Sequence, residues 1–225
     1  MKWLVVGMLL FASTPVLAAT PHVSVQRGIV CQYPDGHSAR LTHSRRDSQP
    51  VLSPDGHTVA FIHIVKASSE PDIQSFDETD ALMAGDCRTG KVRQVLAPTR
   101  GNGSIEDIVE SFAHPIFSLD GGYVYVSFAP GADYLIIQQI NMATGRHRFV
   151  ADAELESVIR TGPYRGYILA TQHSNIPGEA VGSYYPTYVF RPDGHMMFML
   201  QETLYPKDND KGVQAWLHNH GWKAW

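Results

Sequence analysis

Gln49-Pro-Val-Leu-Ser-Pro-Asp-Gly-His-Thr-Val-Ala-Phe61 is the stretch that decides the fold, and it recurs 65 residues later as His114-Pro-Ile-Phe-Ser-Leu-Asp-Gly-Gly-Tyr-Val-Tyr-Val126. Each copy is a short apolar run, a turn containing Asp-Gly, and a second apolar run. Asp-Gly between alternating apolar runs predicts a tight hairpin, because Gly accepts the positive φ that such turns require. A phrase repeated at this distance also predicts an architecture of similar, successive units.

A second kind of hairpin alternates with the first. Its turn glycines are Gly36, Gly90, Gly145 and Gly194, which are 54, 55 and 49 residues apart. The four hairpins of this kind are Gly28–Leu41, Met83–Leu96, Ile136–Val150 and Thr187–Met199. The first kind falls between them, with a weaker third copy at Ile159–Ala170.

One hairpin of each kind per period makes a four-stranded antiparallel sheet, which is the blade of a β-propeller. The chain has four hairpins of the second kind and three of the first, so it begins in the middle of a blade. The predicted fold is therefore all-β: a small or incomplete β-propeller of about four blades, with a short C-terminal helix.

The two ends of the chain differ from this repeat. Residues 1–19 have a basic start, an apolar run and small residues at the end, and they predict a secretory signal peptide. Residues 20–204 are the predicted propeller domain. Residues 205–225 are a predicted helical cap, because Val213, Trp216 and Leu217 have the i, i+3, i+4 spacing of one helix face.

The stretch Pro50–Phe61 resembles the WD-repeat-like propeller repeat of TolB and of the prolyl-oligopeptidase propellers. The resemblance covers most of Gly28–Leu200, and Pro115–Val126 matches well. It does not extend to the hydrolase domain of that peptidase family or to the N-terminal domain of TolB. It implies a propeller of periplasmic or secreted type and, for TolB, a protein-binding role at the cell envelope. No catalytic residue comes with this motif.

Composition removes several classes of function. The 225 residues include 18 Lys and Arg against 22 Asp and Glu, for a net charge of −4, and they contain no run of basic residues. A mildly acidic chain of this kind is not expected to bind nucleic acid. After residue 19 no stretch approaches the ~20 apolar residues of a membrane span, so no membrane insertion is expected.

Antiparallel connectivity places alternate turns at the same end of every blade. The Asp-Gly and Thr-Gly turns fall on one end, the tight-turn rim. Long connections share the other end, the long-loop face, and they are Lys66–Ala81, Pro98–Phe112, Ala129–Tyr134 and Gln172–Pro186. Long loops on a rigid scaffold are the usual place for binding.

The first two of these loops are acidic, and the last is aromatic. Tyrosine is favoured as an anchor in protein interfaces. We therefore expect an acidic face with an aromatic spot, suited to a basic protein partner. The candidate partner-binding residues are Asp72, Asp77, Glu78, Asp80, Glu106, Asp107, Glu110, His173, Tyr184 and Tyr185. Solvated loops without a binding role would have the same composition.

The sequence carries no familiar catalytic or metal-binding motif. No serine lies in Gly-x-Ser-x-Gly, and no His-Glu-x-x-His occurs. We expect no cofactor, no bound metal and no catalytic residue. Cys31 and Cys87 invite a disulfide in an exported protein. Against that pairing, both are expected on the third strand of successive blades, farther apart than the ~7 Å Cα separation that a disulfide permits. Because a pair of free thiols is unusual in an exported protein, a disulfide between Cys31 and Cys87 is nevertheless the prediction.

The leading hypothesis is an exported, non-catalytic propeller that binds another protein at the cell envelope through its long-loop face. One alternative is an inhibitor or immunity protein for a secreted cell-wall enzyme. Another is a metal-dependent hydrolase or lyase, with a site in an axial funnel lined by His114, His173 and nearby acids.

Overall fold

The structure is a computed structural model that describes residues 20–66, 79–99, 109, 111–131, 134–175, 183–201, 215, 218 and 219. The predicted signal peptide and most of the predicted C-terminal helix lie outside this set. Ala215, His218 and Asn219 have helical geometry. All seventeen strands of the described residues belong to antiparallel pairs, so the all-β prediction is confirmed.

Four sheets, here numbered I to IV, follow one another along the chain. Sheet I contains β1 (His22–Val25), β2 (Ile29–Gln32) and β3 (Ser38–Arg40). Sheet II contains β4 (Asp47–Leu52), β5 (Thr58–Lys66), β6 (Thr79–Asp86) and β7 (Val92–Leu96). Sheet III contains β8 (Phe112–Phe117), β9 (Tyr123–Gly131), β10 (Tyr134–Asn141) and β11 (His147–Ala151).

Sheet IV has the same order and one insertion. Its four strands are β12 (Glu154–Val158), β13 (Ile168–Thr171), β16 (Thr187–Phe190) and β17 (Met196–Gln201). Between β13 and β16 the chain forms a separate two-stranded ribbon of β14 (Ser174–Asn175) and β15 (Ser183–Tyr184). The third copy of the first hairpin thus starts earlier than predicted, because Ile159 lies after β12 in the turn.

The doubled phrase forms the turn that joins the first two strands of sheets II and III. Ser53 Oγ donates a hydrogen bond to Asp55 Oδ1 (2.5 Å) and accepts one from the Thr58 amide (2.9 Å). Ser118 and Asp120 repeat the first bond at 2.6 Å. The serine and the aspartate recur because together they satisfy the hydrogen-bonding groups of the turn. The glycine that follows has a φ of 74° in one copy and 72° in the other, as predicted.

Consecutive sheets pack face to face through apolar side chains that alternate along each strand. On β5, Val59 and Phe61 point to sheet I, whereas Ala60 and Ile62 point to sheet III. Three buried clusters result, one at each junction of neighbouring sheets. The first strands β4, β8 and β12 contact one another in turn, which places them around a common axis. This is the blade arrangement of a β-propeller.

Among the described residues, sheet I has no counterpart of the axial first strand. Its hairpin β2–β3 corresponds to β6–β7 of sheet II, and β1 pairs with β2 as β5 pairs with β6. The described propeller therefore comprises three four-stranded blades and one three-stranded blade. This agrees with the count of four hairpins of one kind and three of the other.

Cys31 and Cys87 are joined by a disulfide with a Cα–Cα distance of 5.8 Å. Cys31 lies on β2, but Cys87 is the first residue after β6, in the turn that follows. Because Cys87 has left its strand, the separation expected for equivalent positions of neighbouring blades does not apply. The bond joins sheet I to sheet II across 56 residues of sequence. In the chain-entropy model a loop of this length contributes about 4 kcal/mol.

The far face of an end sheet is the face turned away from its neighbour in the chain. Cross-strand pairing puts six residues on the far face of sheet I: His22, Ser24, Val30, Gln32, Ser38 and Arg40. Five of the six are polar or charged. The far face of sheet IV carries instead the apolar cluster Ile159, Tyr164, Tyr167, Leu169, Val189, Phe198 and Leu200.

Candidate functional site: the long-loop face

The β14–β15 ribbon is the most prominent described feature of the long-loop face. It leaves sheet IV where β13 ends, and its base is closed by a hydrogen bond from the Gln172 amide to the Pro186 carbonyl (3.0 Å). The exposed ring of His173 lies beside Tyr185, with ring centroids 5.3 Å apart. Tyr184 and Tyr185 are half-buried. The structure thus brings His173 and Tyr185 together as an aromatic spot at the base of this ribbon, and Tyr184 is the neighbouring residue on β15.

Asp80, another predicted contact residue, does not lie on the exposed surface. It occupies the second position of β6, and only 3% of its surface is exposed. Its side chain lies on the same face of β6 as Leu82 and Ala84, which pack toward sheet III. The other six acidic candidates lie outside the described residues: Asp72, Asp77, Glu78, Glu106, Asp107 and Glu110.

One of the four predicted long loops is a short hairpin. β9 continues to Gly131 and β10 begins at Tyr134, and these two residues are paired. The apolar and glycine-containing stretch after Phe128 extends the strand. The long-loop face therefore has fewer large insertions than expected, and the ribbon of sheet IV stands out among the described connections.

The described part of the long-loop face over sheets I and II is basic. Five exposed side chains lie at the strand ends and turns on this side of the two sheets: Arg27, Arg40, Arg45, Arg46 and Lys66. Arg40 donates from Nη1 to the Gln26 carbonyl (2.7 Å), and Arg46 donates from Nη1 to the Val65 carbonyl (3.4 Å). Sequence reasoning missed this group because its members are spread over 40 residues and form no basic run.

Asp47 and His63 lie beside the basic group, at the start of β4 and near the end of β5. His63 Nδ1 and Asp47 Oδ1 are 2.6 Å apart. The Asp47 side chain is 2% exposed and that of His63 is 33% exposed. The pair anchors the ends of two strands directly below the exposed arginines.

The axial strands present a second group of polar residues at bulges. β4 is irregular between Ser48 and Val51, and β8 is irregular between Ala113 and Ile116. The equivalent residues Gln49 and His114 have φ values of 48° and 50°, although neither is glycine. The His114 amide donates to Gln49 Oε1 (2.7 Å), so the two bulges are joined across the junction of sheets II and III.

A third bulge on β12 places Glu156 at the corresponding point of sheet IV. Bulges often turn a side chain toward a functional position. The predicted funnel pair is nevertheless divided: His114 contacts Gln49 on the axis, whereas His173 contacts Tyr185 on the ribbon. Among the described residues, no group of three or more His, Cys, Asp or Glu side chains is arranged to hold a metal ion.

The lowered aspartate pKa values belong to the opposite end of the molecule. The Ser53 hydroxyl, followed by the His57 amide, lowers the pKa of Asp55, and the Ser118 hydroxyl does the same for the pKa of Asp120. The Thr89 amide is the main cause of the lowered pKa of Asp86. All three lie in turns of the tight-turn rim, so these shifts report turn structure rather than a reactive site.

The interior tyrosine Tyr125 is also structural. Its hydroxyl accepts a hydrogen bond from Gln139 Nε2 (3.0 Å), and burial raises the pKa of its hydroxyl. No helix among the described residues has the length and apolar character needed to cross a membrane.

Comparison with known proteins shows similarity of fold rather than of sequence. No model of a known protein family matches the chain, and no curated protein sequence matches it. An oligogalacturonate lyase solved in complex with manganese has a TM-score of 0.59 at 15% identity, covering 82% of this chain and 50% of the lyase. The dipeptidyl peptidase 4 of Porphyromonas gingivalis has a TM-score of 0.55 at 8% identity, covering 81% of this chain and 31% of the peptidase.

A putative TolB from Agrobacterium tumefaciens is among the similar structures, with a TM-score of 0.49 at 12% identity, covering 79% of this chain and 57% of that protein. The chain thus spans between about a third and somewhat over half of the length of these proteins. The sheet arrangement defines the class as a β-propeller fold, and the similarity in fold to the lyase and to the peptidase agrees with it. Fold alone does not assign an activity.

Proposed function

We propose that the protein is an exported, non-catalytic β-propeller that binds a partner protein at the cell envelope through its long-loop face. The observation that carries the proposal is the β14–β15 ribbon. It lies outside the four-stranded blade, so the blade does not need it for its own hydrogen bonding.

The chemistry of the ribbon fits protein recognition. Tyr184 and Tyr185 each offer a large amphipathic side chain at a small cost in conformational entropy, and His173 adds an exposed ring beside Tyr185. Protein interfaces commonly consist of such an aromatic centre with a polar surround. The basic group of sheets I and II, on the same end of the molecule, supplies charge. The described part of the face would attract an acidic partner, whereas the expectation of a basic partner rests mainly on acidic residues outside the described part and stays a prediction.

The test is quantitative capture of envelope proteins by the purified chain and by two matched variants. Tyr185→Ala removes the aromatic contact of the ribbon. Tyr33→Ala is the control, because Tyr33 forms a similar pair with His37 (ring centroids 5.6 Å) at the tight-turn rim. A partner of the long-loop face should bind the control normally. It should lose roughly 30-fold in affinity with Tyr185→Ala, as an anchor worth about 2 kcal/mol would require.

Absence of any partner that distinguishes Tyr185→Ala from Tyr33→Ala would contradict the proposal. The finer hypothesis of an inhibitor or immunity protein has the same test, followed by assay of the captured protein for cell-wall hydrolysis.

The alternative of a metal-dependent hydrolase or lyase has one observation in its favour, the bulged axial positions Gln49, His114 and Glu156. A manganese-bound lyase also shares the fold. Metal analysis of the protein purified without chelators separates the two functions. Under our proposal the metal content is well below one ion per chain, and stoichiometric metal that is lost on His114→Ala would favour the enzyme.

A further inference from the structure

The far face of sheet IV is apolar and buried, as in an interface, rather than polar and exposed. Its centre consists of Ile159, Leu169 and Val189, each with 0% exposure. Around them lie the half-buried side chains Tyr164, Tyr167, Phe198 and Leu200. Within the described part of the chain, every member of this cluster comes from sheet IV or from the turn between its first two strands. An apolar face of this size, at the end of a stack of sheets, requires a cover.

We propose that the C-terminal segment of the same chain, residues 202–225, packs on this face as a cap that ends the propeller. The segment is attached at the right place, because β17 ends at Gln201 in sheet IV itself. It is also long enough. Residues 202–212 alone span up to about 36 Å when extended, whereas crossing a four-stranded sheet takes about 14 Å.

The described helical residues of the segment show which side would face the sheet. Ala215, His218 and Asn219 are helical and exposed. On a helix these three positions share one side, and Val213, Trp216 and Leu217 share the opposite side. The exposed positions thus leave the apolar side for packing. Trp222 and Trp225 follow within the same segment and add further aromatic surface.

Sheet I is a poor candidate to cover the face by closing the ring. Closure would bury His22, Gln32, Ser38 and Arg40 of its far face against apolar side chains. Burying polar groups without hydrogen-bond partners costs roughly 1–3 kcal/mol each. A second copy of the chain would have to compete with a segment that is covalently attached and present at an effective concentration of about millimolar. The tethered segment is therefore the favoured occupant.

Tryptophan fluorescence tests the cap directly. The chain has four tryptophans, and all except Trp3 lie in residues 216–225. In the full chain carrying Trp3→Phe, emission therefore reports on this segment alone. If the cap is docked, the Trp3→Phe chain without further substitutions should show blue-shifted emission and weak quenching by acrylamide.

Two adjacent residues of β17 provide matched variants. Phe198 belongs to the far-face cluster, whereas Met199 is 48% exposed and lies on the other face, paired with Tyr188. With Phe198→Ala the quenching constant should rise about twofold, because the large-to-small change opens the contact that shields the indoles. Met199→Ala should leave it unchanged. If Phe198→Ala does not fold, as judged by circular dichroism, Leu200→Ala takes its place.

Solvent-like emission before any far-face substitution would overturn the proposal, and so would equal quenching in the Phe198 and Met199 variants. Emission that shifts with protein concentration, together with a dimer in light scattering, would overturn it in favour of a second copy. Neither result depends on whether a partner binds the long-loop face.

Discussion

The two end sheets of the propeller differ in the chemistry of their far faces. Each packs one face on a neighbouring sheet and leaves a far face without such a neighbour. The far face of sheet I is polar around a single buried valine, Val30, whereas that of sheet IV is an apolar cluster centred on Leu169. A stack of repeated units stays soluble when its terminal surface is polar or covered. Sheet I meets this condition with its own side chains, and sheet IV needs an additional cover.

The largest expected difference between the two far faces is in their tolerance of an introduced charge. We expect Leu169→Asp to lower the free energy of unfolding by about 4 kcal/mol or more, because it buries an unpaired carboxylate. The melting temperature would fall by roughly 10 °C. Gln32→Asp at the exposed centre of the other far face should change stability by less than about 0.5 kcal/mol. Thermal unfolding of the two variants gives the comparison, and similar losses in both would show that the far faces do not differ as described.

The disulfide is the next largest effect, and it belongs to sheet I alone. Replacing Cys31 and Cys87 together by serine should cost about 4 kcal/mol or somewhat less, since the unfolded chain gains the freedom of a 56-residue loop. Hydrogen exchange should then show sheet I losing protection before sheet IV, because sheet I has three strands rather than four and would have lost its covalent link to sheet II. Adding reductant should destabilise the natural chain and leave the double variant unaffected. A uniform loss of protection would argue against sheet I as the weaker end.

The smallest expected effect is a loss of stability at low pH, and it comes from turn aspartates in the central sheets II and III. Folding lowers the pKa of Asp55 and of Asp120 below the ordinary value of 3.8. A carboxylate whose pKa is lowered by folding stabilises the folded state fully at pH values above its unfolded-state pKa. This contribution is lost as the pH falls through the folded-state pKa. Asp55→Asn and Asp120→Asn should each cost about 1 kcal/mol at neutral pH.

The urea midpoint of the natural chain should therefore decline as the pH falls from about 4 to 2, and the double Asn variant should show a shallower decline. Asp35→Asn in the tight turn of sheet I is the control for the end sheets. A decline with the same slope in the double variant would mean that other carboxylates dominate acid unfolding.

Much of the fold follows from local sequence. Each hairpin is specified by a turn whose own residues satisfy its hydrogen bonds, as Ser53 and Asp55 do, and by apolar alternation that needs no distant information. The hairpins could therefore be placed along the chain, and their order gave the blades. The sequence does not predict β1, since its turn at Arg27 and Gly28 has no familiar signature, and it does not predict the bulges at Gln49 and His114.

The candidate site was harder to predict because it depends on which strand ends meet. Arg27 and Lys66 are far apart in sequence and come together only at the junction of sheets I and II. The acidity of its neighbours predicts Asp80 on the surface, yet β6 begins one residue before it and places its side chain in the interior. An acidic stretch of sequence therefore does not establish an acidic surface, because a strand that begins two residues earlier than predicted can bury one of its carboxylates.

Each sheet is built from one continuous stretch of chain and packs on the sheet made just before it. Within each sheet, hydrogen-bonded neighbours are consequently strands that follow one another along the chain, apart from the ribbon inserted between β13 and β16. Folding can advance blade by blade from the amino terminus, with each new blade completing itself on a finished template. A chain shortened at a blade boundary would expose one of the apolar junction faces, so we expect the remaining sheets to keep their shape only where that face finds a cover.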